Sequence, residues 1–174
     1  MRISAFVLFV FVTSTWTAAC APKTPPAPPP PSERSVLLGE PMPPFQTETM
    51  SGKPVSTAAL EYQAAVLTFV TTDCEPCERA LLAAQAAYDE NEEVRVIGIF
   101  QREGSEKARA LAAKLKLGYP LVVDLDGTIS RQYRVTKVPR TFVVDAHGLV
   151  RWIGGTETNE AELKAALQSV PLRR

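Results

Sequence analysis

The fold is decided by the stretch Thr72-Asp73-Cys74-Glu75-Pro76-Cys77-Glu78-Arg79. A continuous apolar run, residues 64–70, precedes it and predicts a strand that is buried on both faces. Apolar side chains then recur every three or four residues between Glu75 and Asp89, which predicts a helix directly after the strand with one apolar face made of Cys77, Leu81, Ala84 and Tyr88. Two cysteines with two residues between them, at a junction of strand and helix, are typical of a redox pair.

The remaining cysteine and the single histidine argue against a metal site. The chain has three cysteines, and Cys20 lies outside the globular part, so no second C-x-x-C pair is present to complete a structural zinc site. His147 is the only histidine, which excludes a site built from several histidines. We therefore expect neither a metal nor a cofactor.

Length, composition and charge indicate one globular domain. The chain has 174 residues, of which 45% are hydrophobic, enough for a single core. Its 19 basic residues balance 19 acidic ones, giving a formal net charge of +0. Because binding to nucleic acid relies on excess positive charge, we expect no nucleic-acid partner.

The N-terminal residues predict an export signal. Arg2 supplies a positive charge, an apolar run follows from Ile3 to Val12, and small residues lead to Cys20. The apolar run is shorter than the roughly 20 residues that a transmembrane helix needs. Ordinary cleavage after Ala19 or Ala21 is one interpretation. The segment also resembles the bacterial lipoprotein signal, in which the cysteine becomes the lipidated first residue of the mature chain, and Thr17 departs from the leucine usual in that signal.

A proline-rich segment follows the cysteine. Seven of the 15 prolines fall between Pro22 and Pro31, and this composition predicts an extended polyproline II spacer. At about 3.1 Å per residue it would hold the domain roughly 40 Å from an anchor. A ligand for a partner domain is the alternative role. We expect a signal peptide over residues 1–19, an anchor and linker over 20–35, and a globular domain over 36–174.

The globular part reads as an α/β domain whose mixed sheet has helices on both faces. A hairpin is expected over Phe45–Met50 and Val55–Ser56, and a helix that begins at the capping residue Ser105 is expected to end at Gly118. Another helix begins near Asn159, with Glu162 as its capping partner. The remaining elements are strands at Ala64–Val70, Val94–Phe100, Tyr119–Asp124, Thr141–Asp145 and Leu149–Ile153, and a short helical piece through Tyr133.

Two motifs together resemble the thioredoxin fold. The first is Cys74-Glu75-Pro76-Cys77 between a strand and a helix, and the second is the segment from Tyr133 to Gly148, which contains Val138-Pro139. The hairpin, the extra central strand and helix, and the exported layout are similar to the TlpA/ResA group of thiol-disulfide oxidoreductases. The resemblance covers Val36 to Val170. It implies that the Val138–Pro139 bond is cis and that this loop faces the cysteines and binds the substrate peptide.

The expected chemistry is thiol-disulfide exchange, in which a thiolate is the nucleophile. Cys74 would lie at the helix N-terminus, where the dipole stabilises an anion, and Cys77 would be the resolving thiol. Pro76 suits the first turn of the helix. Asp73, Glu75 and Glu78 oppose the thiolate with only Arg79 against them. We therefore expect a Cys74 pKa of about 7 or above, and a potential on the order of −200 to −270 mV.

The resemblance fails at three positions. Thr68 replaces the buried aspartate of thioredoxins, and Ala80 replaces a glutamate found in the TlpA/ResA group, so neither position can take a proton. Glu75, Glu103 or water is then expected to accept the proton of Cys77. Asp73 replaces the tryptophan usual before the first cysteine, which affects the substrate surface.

Other functions remain open at this point. An inert disulfide is disfavoured because so short a loop adds little stability. A thiol peroxidase of the peroxiredoxin type would use Thr71, Cys74 and Arg140, although the usual upstream proline is missing. A copper carrier would need His147, which we expect in a surface turn. Tyr133 and Trp152 are expected to be core or rim aromatics.

The preferred hypothesis is an oxidoreductase that reduces disulfides of exported proteins. Its partner is a disulfide-containing exported protein, with a membrane electron donor as a further candidate. It would meet the membrane only through lipidated Cys20.

Overall fold

A computed structural model describes residues 37–60 and 62–172. The expected signal peptide, Cys20 and the proline-rich linker lie outside the described residues, so the expected domain boundaries stay predictions. Within the described part of the chain, no helix has the length and apolar character to cross a membrane.

Five strands form the main sheet, in the order β5-β4-β3-β6-β7. These are β3 (Ala64–Val70), β4 (Val94–Gln101), β5 (Leu121–Asp124), β6 (Arg140–Val144) and β7 (Val150–Gly154). Strands β3, β4 and β5 are parallel, whereas β6 and β7 run antiparallel to their neighbours. All seven residues of β3 are buried, as the apolar run predicts for the central strand.

A separate two-stranded hairpin precedes the sheet. It consists of β1 (Gln46–Glu48) and β2 (Pro54–Ser56), and a 3₁₀ turn at Thr57–Leu60 leads on to β3. The hairpin and the β4 unit lie where the sequence predicts them, and their assignment as features specific to the TlpA group stays a prediction.

Helices cover both faces of the sheet, which confirms the predicted class. Residues 37–60 and 62–172 contain four α-helices, which are α1 (Glu75–Glu90), α2 (Ser105–Leu115), α3 (Thr128–Gln132) and α4 (Glu160–Gln168). Side chains of α1, α2 and α4 pack into one hydrophobic cluster, which includes Val66, Val70 and Cys77. Ile129 of α3 packs into a second cluster, with Leu67 and Phe69 on the opposite face of β3.

Three expected details differ in the structure. Ser105 is the first residue of α2, and Gly104 occupies its N-cap position. The same helix is capped by Lys116, which has a left-handed φ of 54° and whose amide donates to carbonyls of the last turn, so Gly118 is not the stop. Tyr88 is 40% exposed rather than part of the buried face of α1.

Strand β5 begins at Leu121, two residues later than expected, and Tyr119 packs against α1 instead. Its ring is buried and its hydroxyl donates a hydrogen bond to the Leu81 carbonyl of α1 at 3.1 Å. At α4 the prediction is confirmed, since the Asn159 side chain accepts a hydrogen bond from the Glu162 amide at 3.1 Å.

Candidate active site

The two cysteines form a disulfide at the junction of β3 and α1. The sulfur–sulfur distance is 2.14 Å and the Cα atoms are 5.2 Å apart. Cys74 is the N-cap residue of α1 and is partly exposed, whereas Cys77 in the first turn has no exposed surface. An attacking thiol or disulfide from solvent can therefore reach Cys74 and not Cys77.

The start of α1 is fixed by its first residues. The Cys74 carbonyl accepts hydrogen bonds from the amides of Cys77, at 3.0 Å, and Glu78, at 3.2 Å. Pro76 is the second residue of the helix, where the missing amide hydrogen costs no helical hydrogen bond. The Cys74 sulfur thus lies at the positive end of a 16-residue helix, which stabilises a thiolate.

The acids around the pair are more balanced than the sequence suggests. Glu75 pairs with Arg79 at 2.5 Å, as expected, but Asp73 pairs with Lys107 at 3.4 Å. Glu78 pairs with Lys114 at 2.8 Å. The expectation that only Arg79 opposes these acids is therefore wrong.

Both lysines come from α2. The sequence pattern does not reveal them because each pairs with an acid that is 34 or 36 residues away in the chain. They lie seven residues apart, or about two turns, on one face of α2. That spacing is the signal that could have found them in the sequence.

The Val138–Pro139 loop lies at the same edge of the sheet as the cysteines. Its peptide bond is cis, as the resemblance implies. Strand β6 begins at the next residue, Arg140, which pairs with Phe69 near the end of β3. Val138 is half-buried and, like Cys74, packs against the cluster that contains Cys77. The structure therefore brings together the two sequence motifs.

The positions beneath the buried cysteine carry no titratable group. Thr68 and Ala80 are both fully buried. Thr141 of β6 lies opposite Thr68 and donates a hydrogen bond to its hydroxyl oxygen at 3.4 Å. A carboxylate that exchanges protons with Cys77 must therefore come from elsewhere.

Glu75 and Glu103 occupy different surroundings. The side chain of Glu75 is 86% exposed and is held by Arg79. Glu103 is half-buried in the loop after β4, and its Oε1 accepts a hydrogen bond from the Thr72 amide at 3.3 Å. Glu103 is thus attached to the segment that carries the redox pair.

The residues expected for a peroxidase or a copper carrier lie at different distances from the cysteines. Arg140 and Thr71 lie at the cysteine edge of the sheet. His147 lies in the turn after β6, whose five residues place it roughly 16 Å from that edge. The histidine and the thiols are therefore not brought together as a copper site would require.

Two aromatic residues serve the core and its rim. Tyr133 is fully buried, and its hydroxyl donates to the Pro43 carbonyl at 2.9 Å. Burial raises the pKa of Tyr133 well above its usual range. Trp152 is half-buried against the cluster around α1. Among the described residues, no group of three or more His, Cys, Asp or Glu side chains could hold a metal ion.

Comparisons with known proteins agree with this geometry. The model of the AhpC/TSA family matches residues 38–153. Thioredoxin-like protein YneN of Bacillus subtilis is 30% identical over 141 residues, covering 78% of this chain and 82% of that protein. Thiol-disulfide oxidoreductase ResA of Geobacillus thermodenitrificans is 27% identical, covering 78% of this chain and 79% of that protein.

Solved structures show the same fold. A secreted disulfide oxidoreductase of Mycobacterium tuberculosis, homologous to E. coli DsbE, is 26% identical with a TM-score of 0.66 and covers 72% of this chain and 96% of its own. StoA of Bacillus subtilis, at 22% identity and a TM-score of 0.62, covers 71% of this chain and 96% of its own and shares the fold. The chain belongs to the AhpC/TSA family and is a thiol-disulfide oxidoreductase with a thioredoxin-like fold.

Proposed function

We propose that this oxidoreductase reduces disulfide bonds of exported proteins, with Cys74 as the nucleophile and Cys77 as the resolving thiol. The observation that carries the proposal is the unequal exposure of the pair. Cys74 is accessible at a helix N-terminus, whereas Cys77 is fully buried one turn further on. A secreted structural relative supports the exported setting.

The exchange runs in two steps. The Cys74 thiolate attacks one sulfur of the substrate disulfide, forming a mixed disulfide and releasing the other substrate sulfur as a thiolate, which takes up a proton. Cys77 then loses its proton and attacks the Cys74 sulfur. The Cys74–Cys77 bond forms, the bond from Cys74 to the substrate breaks, and the second substrate sulfur leaves. The pair is oxidised by two electrons and the substrate is reduced by two.

Val138 and Pro139 are the proposed substrate-binding residues. Val138 and Cys74 both pack against the cluster that contains Cys77, and the resemblance to the thioredoxin fold implies that the Val138 backbone meets the bound peptide. Asp73, Glu75 and Pro76 are the proposed modulators, because they flank the thiol on the chain. Asp73 has an 86% exposed side chain, so it belongs to the surface that the substrate meets.

The acids near Cys74 favour the reducing direction of exchange. Acids flank Cys74, and the lysines and arginine that pair with them are exposed, so those pairs offset the acids only weakly. We expect a potential on the order of −200 to −270 mV rather than a strongly oxidising value. Titration of the pair against glutathione measures it, and a value near −120 mV, the DsbA value, would contradict a reducing role.

Trapping tests the assignment of the two cysteines. Cys77→Ser should leave Cys74 bound to its substrate as a mixed disulfide that mass spectrometry identifies, because no thiol remains to resolve it. Cys74→Ser should abolish both trapping and the reduction of insulin by the dithiothreitol-reduced protein. If Cys74→Ser traps a substrate and Cys77→Ser does not, the two roles are reversed. If neither variant traps a substrate, the proposal is wrong.

A thiol peroxidase is the second candidate function. It is favoured by the position of Arg140 and Thr71 at the same edge of the sheet as the cysteine pair. The competing observation is the disulfide between Cys74 and Cys77, which suits exchange with a second disulfide. Consumption of hydrogen peroxide by the reduced wild-type protein, without reduction of insulin, would favour the peroxidase.

We also propose that residues 1–19 direct export and that Cys20 is lipidated, with residues 20–35 as the tether of a domain over 36–174. The support is the order of a charged start, an apolar run, small residues and a cysteine, followed by seven prolines. The lipid would be the only contact with the membrane, and a membrane electron donor would then be within reach of the pair.

A further inference from the structure

Glu103 is a carboxylate near the redox pair that has no part in the two exchange steps. Strands β3 and β4 are parallel, with Val70 opposite Phe100, so the residues after both strands lie at one edge of the sheet. The Glu103 Oε1 atom accepts a hydrogen bond from the Thr72 amide at 3.3 Å. Because Thr72 is two residues before Cys74, this oxygen is roughly 12 Å at most from the Cys74 Cα atom.

Glu103 differs from the other acids of the site in its charge balance. Asp73, Glu75 and Glu78 each form an ion pair with a lysine or arginine. Within residues 37–60 and 62–172, Glu103 forms none. Unlike the charges of these three acids, its negative charge is therefore not offset by an ion pair in the described part of the chain.

The surroundings of Glu103 also screen its charge poorly. Water does not reach the Thr72 hydroxyl oxygen or the Gln101 side-chain oxygen, and neither has a hydrogen-bond partner in the described part of the chain. Thr72 lies two residues after β3 and donates its amide hydrogen to Glu103, and Gln101 ends β4 two residues before Glu103. A charge next to such a poorly hydrated region acts over a longer distance than a charge in open solvent.

We propose that Glu103 is a positioning residue that raises the pKa of the Cys74 thiol and thereby makes the pair more reducing. A negative charge held near a thiol disfavours its thiolate. Because a less stable thiolate destabilises the reduced pair, the equilibrium with other dithiols moves toward the oxidised pair and the reduced substrate. The inference rests on the proposed role of Cys74 as the accessible nucleophile.

Other charged side chains at this edge also act on the Cys74 thiol, but they do not change between the wild type and a Glu103 variant. Besides the three ion pairs, the charged side chains from the neighbouring loops and the start of α2 are Arg102, Glu106, Arg134, Lys137 and Arg140. All of them are the same in the wild type and in a Glu103 variant. A comparison of the two proteins therefore isolates the contribution of the Glu103 carboxylate.

The experiment separates the charge of Glu103 from its hydrogen bond. Glu103→Gln keeps a side-chain oxygen that can accept from the Thr72 amide and removes the charge, whereas Glu103→Ala removes both. Glu92→Gln is the matched control, since Glu92 follows the 16-residue α1 and so lies about 24 Å from Cys74. The rate of alkylation of Cys74 by iodoacetamide is measured across pH in each reduced protein, together with the equilibrium against glutathione.

We expect Glu103→Gln to raise the ratio of thiolate to thiol at a given pH about three- to tenfold, which is a pKa fall of about half a unit to one unit. The glutathione equilibrium should move toward the reduced pair in the same direction, and the difference from wild type should shrink in high salt. Glu92→Gln should match the wild type.

Three results would overturn the inference while insulin reduction persists. These are an unchanged pH profile in Glu103→Gln, a change confined to Glu103→Ala, or an equal change in Glu92→Gln. Failure of the proposed function is distinguishable, because the wild type itself would then fail to reduce insulin or would be alkylated first at Cys77.

Discussion

Buried acids away from the cysteines hold turns rather than react. Asp124 accepts hydrogen bonds from the amides of Ile129 and Ser130 and so starts α3 after β5. Asp145 has 1% exposure and accepts hydrogen bonds from two amides in the turn between β6 and β7. It also pairs with Arg151 at 2.5 Å. This one carboxylate thus closes the hairpin whose first strand carries the Pro139 loop.

Stability should therefore depend on the ionisation of Asp145. Burial alone raises the pKa of Asp145, but the hydrogen bonds from Arg151 and from two turn amides outweigh it and hold the pKa below its usual range. A lowered pKa stabilises the folded state fully above the unfolded value of about 3.9, and this stabilisation is lost as pH falls through the lower folded value.

Asp145→Asn should cost about 1–3 kcal/mol of unfolding free energy at neutral pH, because Arg151 loses its charged partner. Urea denaturation between neutral and acidic pH would show the gap from wild type narrowing as the pH falls through the folded pKa. Asp89→Asn, on the exposed side of α1, should stay within about 0.5 kcal/mol. A gap that is constant over the whole pH range would contradict the assignment to ionisation.

At the scale of elements, α2 contributes charged side chains, and no cysteine, to the surroundings of the redox pair. Helix α1 presents Cys74 and the acids, and α2 lays Lys107 and Lys114 against two of those acids. Glu103 in the loop that leads to α2 has the opposite charge. The unit formed by β4, α2 and the loop between them thus places charges of both signs around the segment that carries Cys74.

The two lysines should act on the thiol in the direction opposite to Glu103. Lys107→Gln combined with Lys114→Gln leaves Asp73 and Glu78 unpaired, so the Cys74 pKa should rise, by about half a unit because exposed ion pairs are weak. The rate of alkylation across pH measures the shift. Lys164→Gln is the control, because Lys164 pairs with Glu90 at the far end of α1. A fall in the Cys74 pKa, or a similar rise in the control, would refute this role of α2.

Over the whole molecule, the sequence predicts those features that local pattern determines. The central strand is found at Ala64–Val70 because an unbroken apolar run is typical of a strand buried on both faces. The Cys74–Cys77 pair and Pro139 are found because each belongs to a short motif. The fold class follows from the order of strands and helices.

What the sequence does not predict depends on contacts between distant segments. The end of α2 is set by Lys116, which adopts a left-handed conformation. Because glycine adopts this conformation most easily, the sequence points to Gly118 instead. The start of β5 is set by the bond from Tyr119 to α1. The pairing of Lys107 with Asp73 joins residues 34 positions apart, which no local pattern reports.

The layout of the whole chain predicts that attachment and catalysis are separable. The described residues 37–60 and 62–172 contain the cysteine pair, the Pro139 loop and Glu103, whereas the proposed anchor is Cys20. In cells, the wild type should fractionate with membranes and Cys20→Ser should become soluble, with the rate of insulin reduction per molecule unchanged. Cys74→Ser is the reciprocal control and should stay with the membranes without activity. Wild-type protein found wholly in the soluble fraction would refute the anchor, and loss of activity in Cys20→Ser would show that the tether contributes to the site.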